Sequence, residues 1–164
     1  MNEAHFHLLV NHFPILMPII GALILIGGIV FRSEAVKRAA YFTFLVGAIM
    51  TIPTYSSGEG AEEIVEHMGG AVSHDLIHEH EEVAELFAVL SYALGALALL
   101  GFFASWRKMK FSGALTWIVL LAAAVVIYFG RVTGSTGGEI SHPEIRKGFK
   151  PTEDAEEEHD EQEH

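Results

Sequence analysis

Residues 86–106 read LFAVLSYALGALALLGFFASW, and this apolar stretch decides the fold. A helix needs about 20 mainly apolar residues to cross the hydrocarbon core of a bilayer, and the stretch has that length without one Asp, Glu, Lys or Arg. Three further uncharged stretches are as long, at residues 4–31, 39–58 and 111–130. Because backbone polar groups in lipid must bond within their own segment, the sequence predicts an all-α, four-helix integral-membrane bundle. We number the four spans in chain order.

The segments between the spans predict how the bundle is oriented. The first and third connections together hold six basic residues and one acidic residue, a net charge of +5. The rest of the 164-residue chain holds twenty acidic and four basic residues, a net charge of −16, so the total is −11. Because basic connections stay in the cytoplasm, we expect both termini and the middle connection to lie outside. This predicts a multi-pass protein of a bacterial inner (cytoplasmic) membrane with periplasmic or extracellular termini.

Two further predictions concern the helices at the outer side. Pro14 and Pro18 lie in the outer half of the first span and predict a kink there. No basic segment precedes this span, so we expect it to be retained and not cleaved as a signal peptide. Residues 59–68 can form a short amphipathic outer helix between the second and third spans. A further helix is expected to begin near His74 and to run on through the third span.

The C-terminal part changes in composition. Residues 130–138 follow the fourth span and are too glycine-rich to be expected as helix throughout. Residues 1–150 then form one transmembrane domain, and residues 151–164 are expected to be a disordered, acidic and His-rich tail. The chain has no Cys, which excludes disulfides, thiolate zinc sites, Cys-held iron–sulfur clusters and c-type haem. Its acidic balance argues against nucleic acid as a partner.

All ten histidines fall on the predicted outer side. On a helical wheel, His80 extends the stripe of small residues along the third span, so we expect it to point into the bundle. His12 lies about one turn inside the first span, where an imidazole needs a hydrogen-bond partner or a ligand. Two histidines at one depth on different helices suit a bis-histidine b-type haem, so His12 and His80 are the predicted axial ligands. His5 and His7 are interpreted as polar residues at the membrane interface.

A divalent metal ion is the alternative cofactor. The i,i+4 pair of His74 and His78 has a spacing that can chelate a metal, and carboxylates lie close by in the sequence. The residues that would hold the ion are His12, His74, His78, His80, Glu81 and Glu85.

Arg131 ends the fourth span on the acidic side, against the charge trend of the chain. We interpret it either as a structural partner of a carboxylate or as a clamp for a haem propionate. The following segment, with Thr133, Gly134, Gly137 and Gly138, exposes backbone N–H groups that can cradle an anion.

Four short motifs occur together in order: HFPI at residues 12–15, GEGAE at 58–62, HE at 80–81 and TGSTGG at 133–138. With them, roughly residues 5–145 resemble an uncharacterised four-helix integral-membrane family known as a domain of unknown function. Some of its members are joined to Rieske-type or c-type cytochrome modules, so the resemblance implies a redox context. The positions that match its motifs are His12, His80, Glu81, Gly134, Gly137 and Gly138.

These patterns predict a membrane protein that binds haem b near its outer face and serves as an electron carrier or accessory redox subunit. The alternatives are a non-haem divalent-metal protein and a structural subunit. In the latter case the acidic outer face would dock a basic partner, such as a basic cytochrome. An independent enzyme is the least supported class, because the sequence has no nucleophile–base arrangement and no phosphate-binding loop.

Overall fold

The computed structural model describes residues 3–67, 74–146 and 148–149. Over these ranges the chain is helical apart from short turns. The predicted tail, residues 151–164, lies outside them. The helices in chain order are α1 (Glu3–Val10), α2 (His12–Val30), α3 (Glu34–His67), α4 (His74–Trp106) and α5 (Ser112–Ser141), followed by a 3₁₀ turn at Pro143–Ile145.

Four segments are long and apolar enough to cross a membrane, at His5–Val30, Glu34–Gly58, His74–Trp106 and Ser112–Ser141. The prediction of an all-helical membrane protein with four spans is thereby confirmed. The outer surface of the bundle fits this environment, because large apolar side chains such as Leu121 stay 70% exposed. Exposed apolar surface on this scale would favour aggregation in water but suits contact with lipid.

The four long helices form a closed ring in which α2 packs on α3, α3 on α4, α4 on α5, and α5 back on α2. Small residues let the backbones approach, as is usual between membrane helices. The tightest case is Gly95 of α4, where a Cβ atom would collide with the Cβ of Ala48. The fully buried side chains fill the middle of the ring, among them Leu25, Tyr41, Phe44, Leu94, Val119 and Val126.

The first span breaks at Asn11, between α1 and α2, three residues before the first of the two prolines expected to kink it. Pro14 has no N–H to donate to the carbonyl of Val10, four residues back. The hydroxyl of Thr54 on α3 lies 3.2 Å from that oxygen and 2.9 Å from the Met50 carbonyl of its own helix, so its single proton is shared between the two acceptors. A neighbouring helix therefore stabilises the break, and α1 packs against α3.

Two glycine-containing stretches are helical and continuous with their spans. Residues 59–67 are helical, as predicted for the outer helix, but they continue α3 without a break through Gly58 and Gly60 to His67. Residue 68, the last of the predicted element, lies outside the described residues. The prediction for residues 130–138 was wrong, because they are helical as part of α5. Glycine costs up to about 1 kcal/mol in a helix, and packing against neighbouring helices can outweigh such a propensity.

The turns α2–α3 and α4–α5 lie at the same end of the bundle and are built alike. Arg32 and Lys108 both adopt the left-handed conformation with φ 52°. In each turn the following residue donates its N–H to the carbonyl five residues back, at 2.9 Å. This is the Schellman arrangement that closes a helix C-terminus. We call this end, with the turns at residues 31–33 and 107–111, the basic end, and the opposite end, which carries His7 and His80, the histidine end.

Candidate functional site

His7 is held between α1 and α3 at the histidine end. Its Nδ1 lies 3.1 Å from the carbonyl oxygen of Thr54 and 3.1 Å from Oγ of the buried Ser57. The Ser57 hydroxyl itself donates to the same Thr54 carbonyl at 3.0 Å. A carbonyl only accepts, so the contact with Thr54 requires the His7 proton on Nδ1 and leaves the lone pair on Nε2.

Thr54 positions His7 in two ways. Its carbonyl accepts from the His7 ring, and its hydroxyl, which also reaches the Met50 carbonyl, lies within hydrogen-bond distance of the Val10 carbonyl at the end of α1. Both contacts join α3 to α1, at residues that are about one helical turn apart. Pro14 of α2 leaves the Val10 carbonyl without its helical partner. Thr54 contacts this carbonyl and also orients the His7 ring.

His80 points from α4 toward α5, as the stripe of small residues predicts. Its Nδ1 lies 2.9 Å from Oγ1 of Thr136, and that hydroxyl donates to the carbonyl of Thr133 at 3.1 Å. Since the hydroxyl proton is used in this way, His80 Nδ1 is the donor to Thr136.

Gly137 gives His80 the space that it occupies. A Cβ atom at this position would lie 3.0 Å from Cε1 of the ring, closer than almost any ordinary contact. The ring edge therefore packs directly on the backbone of α5. Any larger residue at this position would have to push the imidazole away.

The imidazoles of His7 and His80 lie at the same end of the bundle. They are within electrostatic range of each other, so a positive charge on one ring would repel a positive charge on the other. Each ring is fixed through Nδ1 to a polar group of a neighbouring helix, which leaves Nε2 as the atom with an available lone pair. Histidines that ligate metals are typically oriented through the second ring nitrogen in this manner.

His12, the predicted partner of His80, is exposed at the first residue of α2. Of His7 and His12, His7 is half-buried and within electrostatic range of His80, whereas His12 is exposed. The remaining histidines and carboxylates of the predicted sets that lie on α4 are also exposed, namely His74, His78, Glu81 and Glu85.

His78 faces away from His80, which lies two positions further along the same helix. Its side chain is 71% exposed and lies 3.7 Å from a carboxylate oxygen of Glu81 and 3.6 Å from one of Glu82. Over residues 3–67, 74–146 and 148–149, no three His, Asp or Glu side chains are grouped as a metal site would require. The divalent-metal site therefore stays a prediction without a cluster in this part of the chain.

The predicted propionate clamp and anion cradle lie on the last turns of α5. Arg131 is exposed. Thr133 is buried, and its hydroxyl donates to the carbonyl of Phe129 at 2.9 Å. Gly134 and Gly138 lie beside Ile15 and Ile145. Because this segment is helical, its backbone N–H groups are turned into the helix and do not form a loop cradle.

His7 was predicted to be an interfacial polar residue, but it is half-buried and hydrogen-bonded to α3. A signal was present, because the buried positions of the first span follow helical spacing through Pro14, Pro18, Gly21, Leu25 and Gly28. Extended toward the N-terminus by steps of three and four, this stripe meets Val10 and then His7. His12 lies off the stripe.

Comparison of the chain with family models, with curated proteins and with solved structures gives no significant match. The resemblance to the four-helix family therefore stays a prediction carried by its four motifs.

Proposed function

We propose that the histidine end binds a b-type haem through His7 and His80, and that the protein is an electron carrier or an accessory redox subunit. The observation that carries the proposal is a pair of half-buried imidazoles from different helices at one end of the bundle, each fixed through Nδ1 and within electrostatic range of the other. Ligation needs a neutral imidazole with a free Nε2, and the contacts at Nδ1 favour that tautomer.

The number of donors favours haem over a bare divalent ion. A structural zinc site takes about four protein ligands. A haem brings its own equatorial nitrogens and needs only two axial ligands from the protein. His7 and His80 are such a pair, and their neighbours Ser57, Thr54 and Thr136 are hydroxyl groups that already bond to the protein.

The residues of the chain have separate tasks in this proposal. His7 and His80 would hold the haem, which supplies one-electron chemistry when bound. Thr54, Ser57 and Thr136 orient the two rings and keep the proton on Nδ1. Gly58 and Gly137 leave the rings unobstructed on the side of the helix backbones.

The test is the visible absorption spectrum of the protein purified from haem-supplied cells. The wild type is expected to show a Soret band of a six-coordinate, bis-histidine haem. His7→Ala and His80→Ala should each lose this spectrum, and added imidazole should restore part of it by replacing the missing ligand.

Two exposed histidines serve as matched controls. His12→Ala removes an imidazole close to His7, and His78→Ala removes one close to His80 on the same helix; both should keep the wild-type spectrum. A wild-type protein without a Soret band would refute haem binding. Loss of the band in His12→Ala but not in His7→Ala would assign the ligand to His12 and refute the pairing of His7 with His80.

A second candidate function, docking of a basic redox partner, has its own support. The first turns of α4 expose a series of carboxylates, Asp75, Glu79, Glu81, Glu82 and Glu85. Such a surface attracts a basic protein, and the association is screened by salt. Binding of a basic cytochrome should weaken steeply between low and physiological ionic strength, and binding that is indifferent to salt would refute the docking role.

A further inference from the structure

An apolar groove runs between α4 and α5 at the basic end. It encloses about 430 Å³ and is lined by apolar side chains that include Phe103, Met109, Phe111 and Ala114. The volume falls in the range of about 300–1,000 Å³ that is typical of sites for small molecules. Because both helices are spans, the groove opens toward the hydrocarbon of the membrane, and an acyl chain is the apolar group available there.

Three exposed cations lie in the turn that joins the two helices, and two residues of the same turn belong to the groove wall. We call this turn, residues 107–111, the mouth of the groove. Arg107 places its guanidinium 5.9 Å from the centre of the Phe103 ring, which is itself part of the groove wall. Lys108 and Lys110 alternate along the chain with Met109 and Phe111 of the lining. No ion pair of these three cations occurs with any side chain in the described ranges.

The negative charge of Glu34, the carboxylate at the basic end, is already paired. Glu34 accepts a hydrogen bond from Ser105 at 2.7 Å and forms an ion pair with Lys37 at 2.7 Å. The mouth of the groove therefore keeps a positive charge, while its interior is apolar.

We infer that this groove is a binding site for one anionic phospholipid, with an acyl chain between α4 and α5 and the phosphate at Arg107, Lys108 and Lys110. The inference is independent of the proposed haem. It rests on charge complementarity, because a cationic mouth beside an apolar groove matches an anionic headgroup attached to an acyl chain. A zwitterionic phospholipid of the same chain length fills the groove equally well but has no net charge for the three cations.

The experiment measures how much phosphatidylglycerol and phosphatidylcholine of identical acyl chains stay bound to the full-length protein in native mass spectrometry. The wild type should retain phosphatidylglycerol preferentially. Each Lys or Arg near a lipid surface contributes about 1 kcal/mol, so Lys108→Gln should lower the preference about fivefold. Ala114→Phe, which fills the groove from an exposed position, should abolish specific retention.

Arg32→Gln is the matched control, because Arg32 occupies the same left-handed position in the turn α2–α3 but lies away from the groove. It should keep the wild-type preference. Equal retention of the two lipids by the wild type, or an equal loss in Arg32→Gln, would overturn the assignment. So would retention that is unchanged in Ala114→Phe, or displacement of the lipid by soluble glycerol phosphate at the same concentration.

Discussion

The two ends of the bundle solve the problem of polar groups at a helix terminus in different ways. At the basic end, tight turns close two helices with backbone hydrogen bonds, and Tyr41 joins α3 to α5 through a 2.8 Å bond to Thr116. At the histidine end, helices run on past the bundle and the contacts between them are made by imidazoles and hydroxyls. The basic end is held mainly by backbone hydrogen bonds, and the histidine end by side chains that are also suited to bind a ligand.

The comparison teaches that similar hydrogen bonds can have different consequences. The Tyr41 hydroxyl and the Thr116 hydroxyl use their bonds to join helices, and Thr116 also donates to Ser112. At the histidine end each imidazole has a second nitrogen after its Nδ1 contact is made. A polar atom that lacks a hydrogen-bond partner inside a membrane bundle costs free energy, and such atoms are therefore retained mainly where they have a function. The second nitrogens of the two imidazoles make the histidine end the candidate site.

The largest effect is expected in the middle of the bundle, between the two ends. Gly95 of α4 lies there against Ala48 of α3, and a side chain at residue 95 must displace α3. Gly95→Leu should lower the free energy of unfolding by about 3 kcal/mol, the upper part of the range for overpacking. Thermal unfolding in detergent measures this loss.

The control for Gly95 is Gly27→Leu, because a Cβ at Gly27 would meet no atom within 4 Å. That variant should unfold close to the wild-type temperature. If Gly95→Leu unfolded at the same temperature as Gly27→Leu, the close contact between α3 and α4 would be refuted. The two ends could then not be treated as parts of one rigid bundle.

A smaller effect should be confined to the histidine end. Thr54→Val removes the hydroxyl whose proton is shared between the Val10 and Met50 carbonyls, while the Thr54 carbonyl that accepts from His7 is kept. An unsatisfied buried carbonyl costs about 1–3 kcal/mol, and we expect the lower end, about 1 kcal/mol, because the Thr54 proton is only partly given to Val10. Hydrogen exchange should become faster in α1 and stay unchanged in the turns of the basic end.

Ser56→Ala is the control for Thr54, since its hydroxyl bonds within α3 on an exposed face. Faster exchange in α1 in that variant, or exchange that rises equally at both ends in Thr54→Val, would show that α1 is not held by the Thr54 hydroxyl.

The smallest effect is expected at the basic end. Tyr41→Phe removes one hydrogen bond between helices but leaves Thr116 bonded to Ser112. Such bonds in membrane bundles average about 0.6 kcal/mol, so unfolding should shift by about this amount. Tyr128→Phe, at a 61% exposed position, should show no shift. A change in the environment of His7 or His80 on this substitution, measured by NMR, would contradict the independence of the two ends.

The four spans could be predicted because span length and apolar composition depend on the bilayer and not on tertiary contacts. The direction of His80 could be predicted for a related reason, since the small residues of α4 mark one face over several turns. His7 could not be placed by the wheel of a single kinked helix. Its orientation depends on a break at Asn11 and on Thr54 from another helix.

The unbroken continuation of α3 and α5 beyond their spans also escaped prediction from local propensity. Residues 58–60 and 130–138 contain glycines that weaken an isolated helix. In the fold these glycines lie where other groups approach, as Gly130 does beside Phe87 and Gly137 beside His80. The packing partner comes from a distant part of the chain. The local sequence therefore shows that glycine lowers helix propensity, but it does not show the close packing that glycine permits.

The unbroken α3 has a consequence for the electrostatics outside the membrane. The span ends at Gly58, and the helix continues to His67, which adds about 13 Å at 1.5 Å per residue. The screening length at physiological ionic strength is about 8 Å. The far end of this helix therefore lies more than one screening length from the end of the span. A charge placed there would respond to the salt of the aqueous phase more than to the charge of the lipid headgroups.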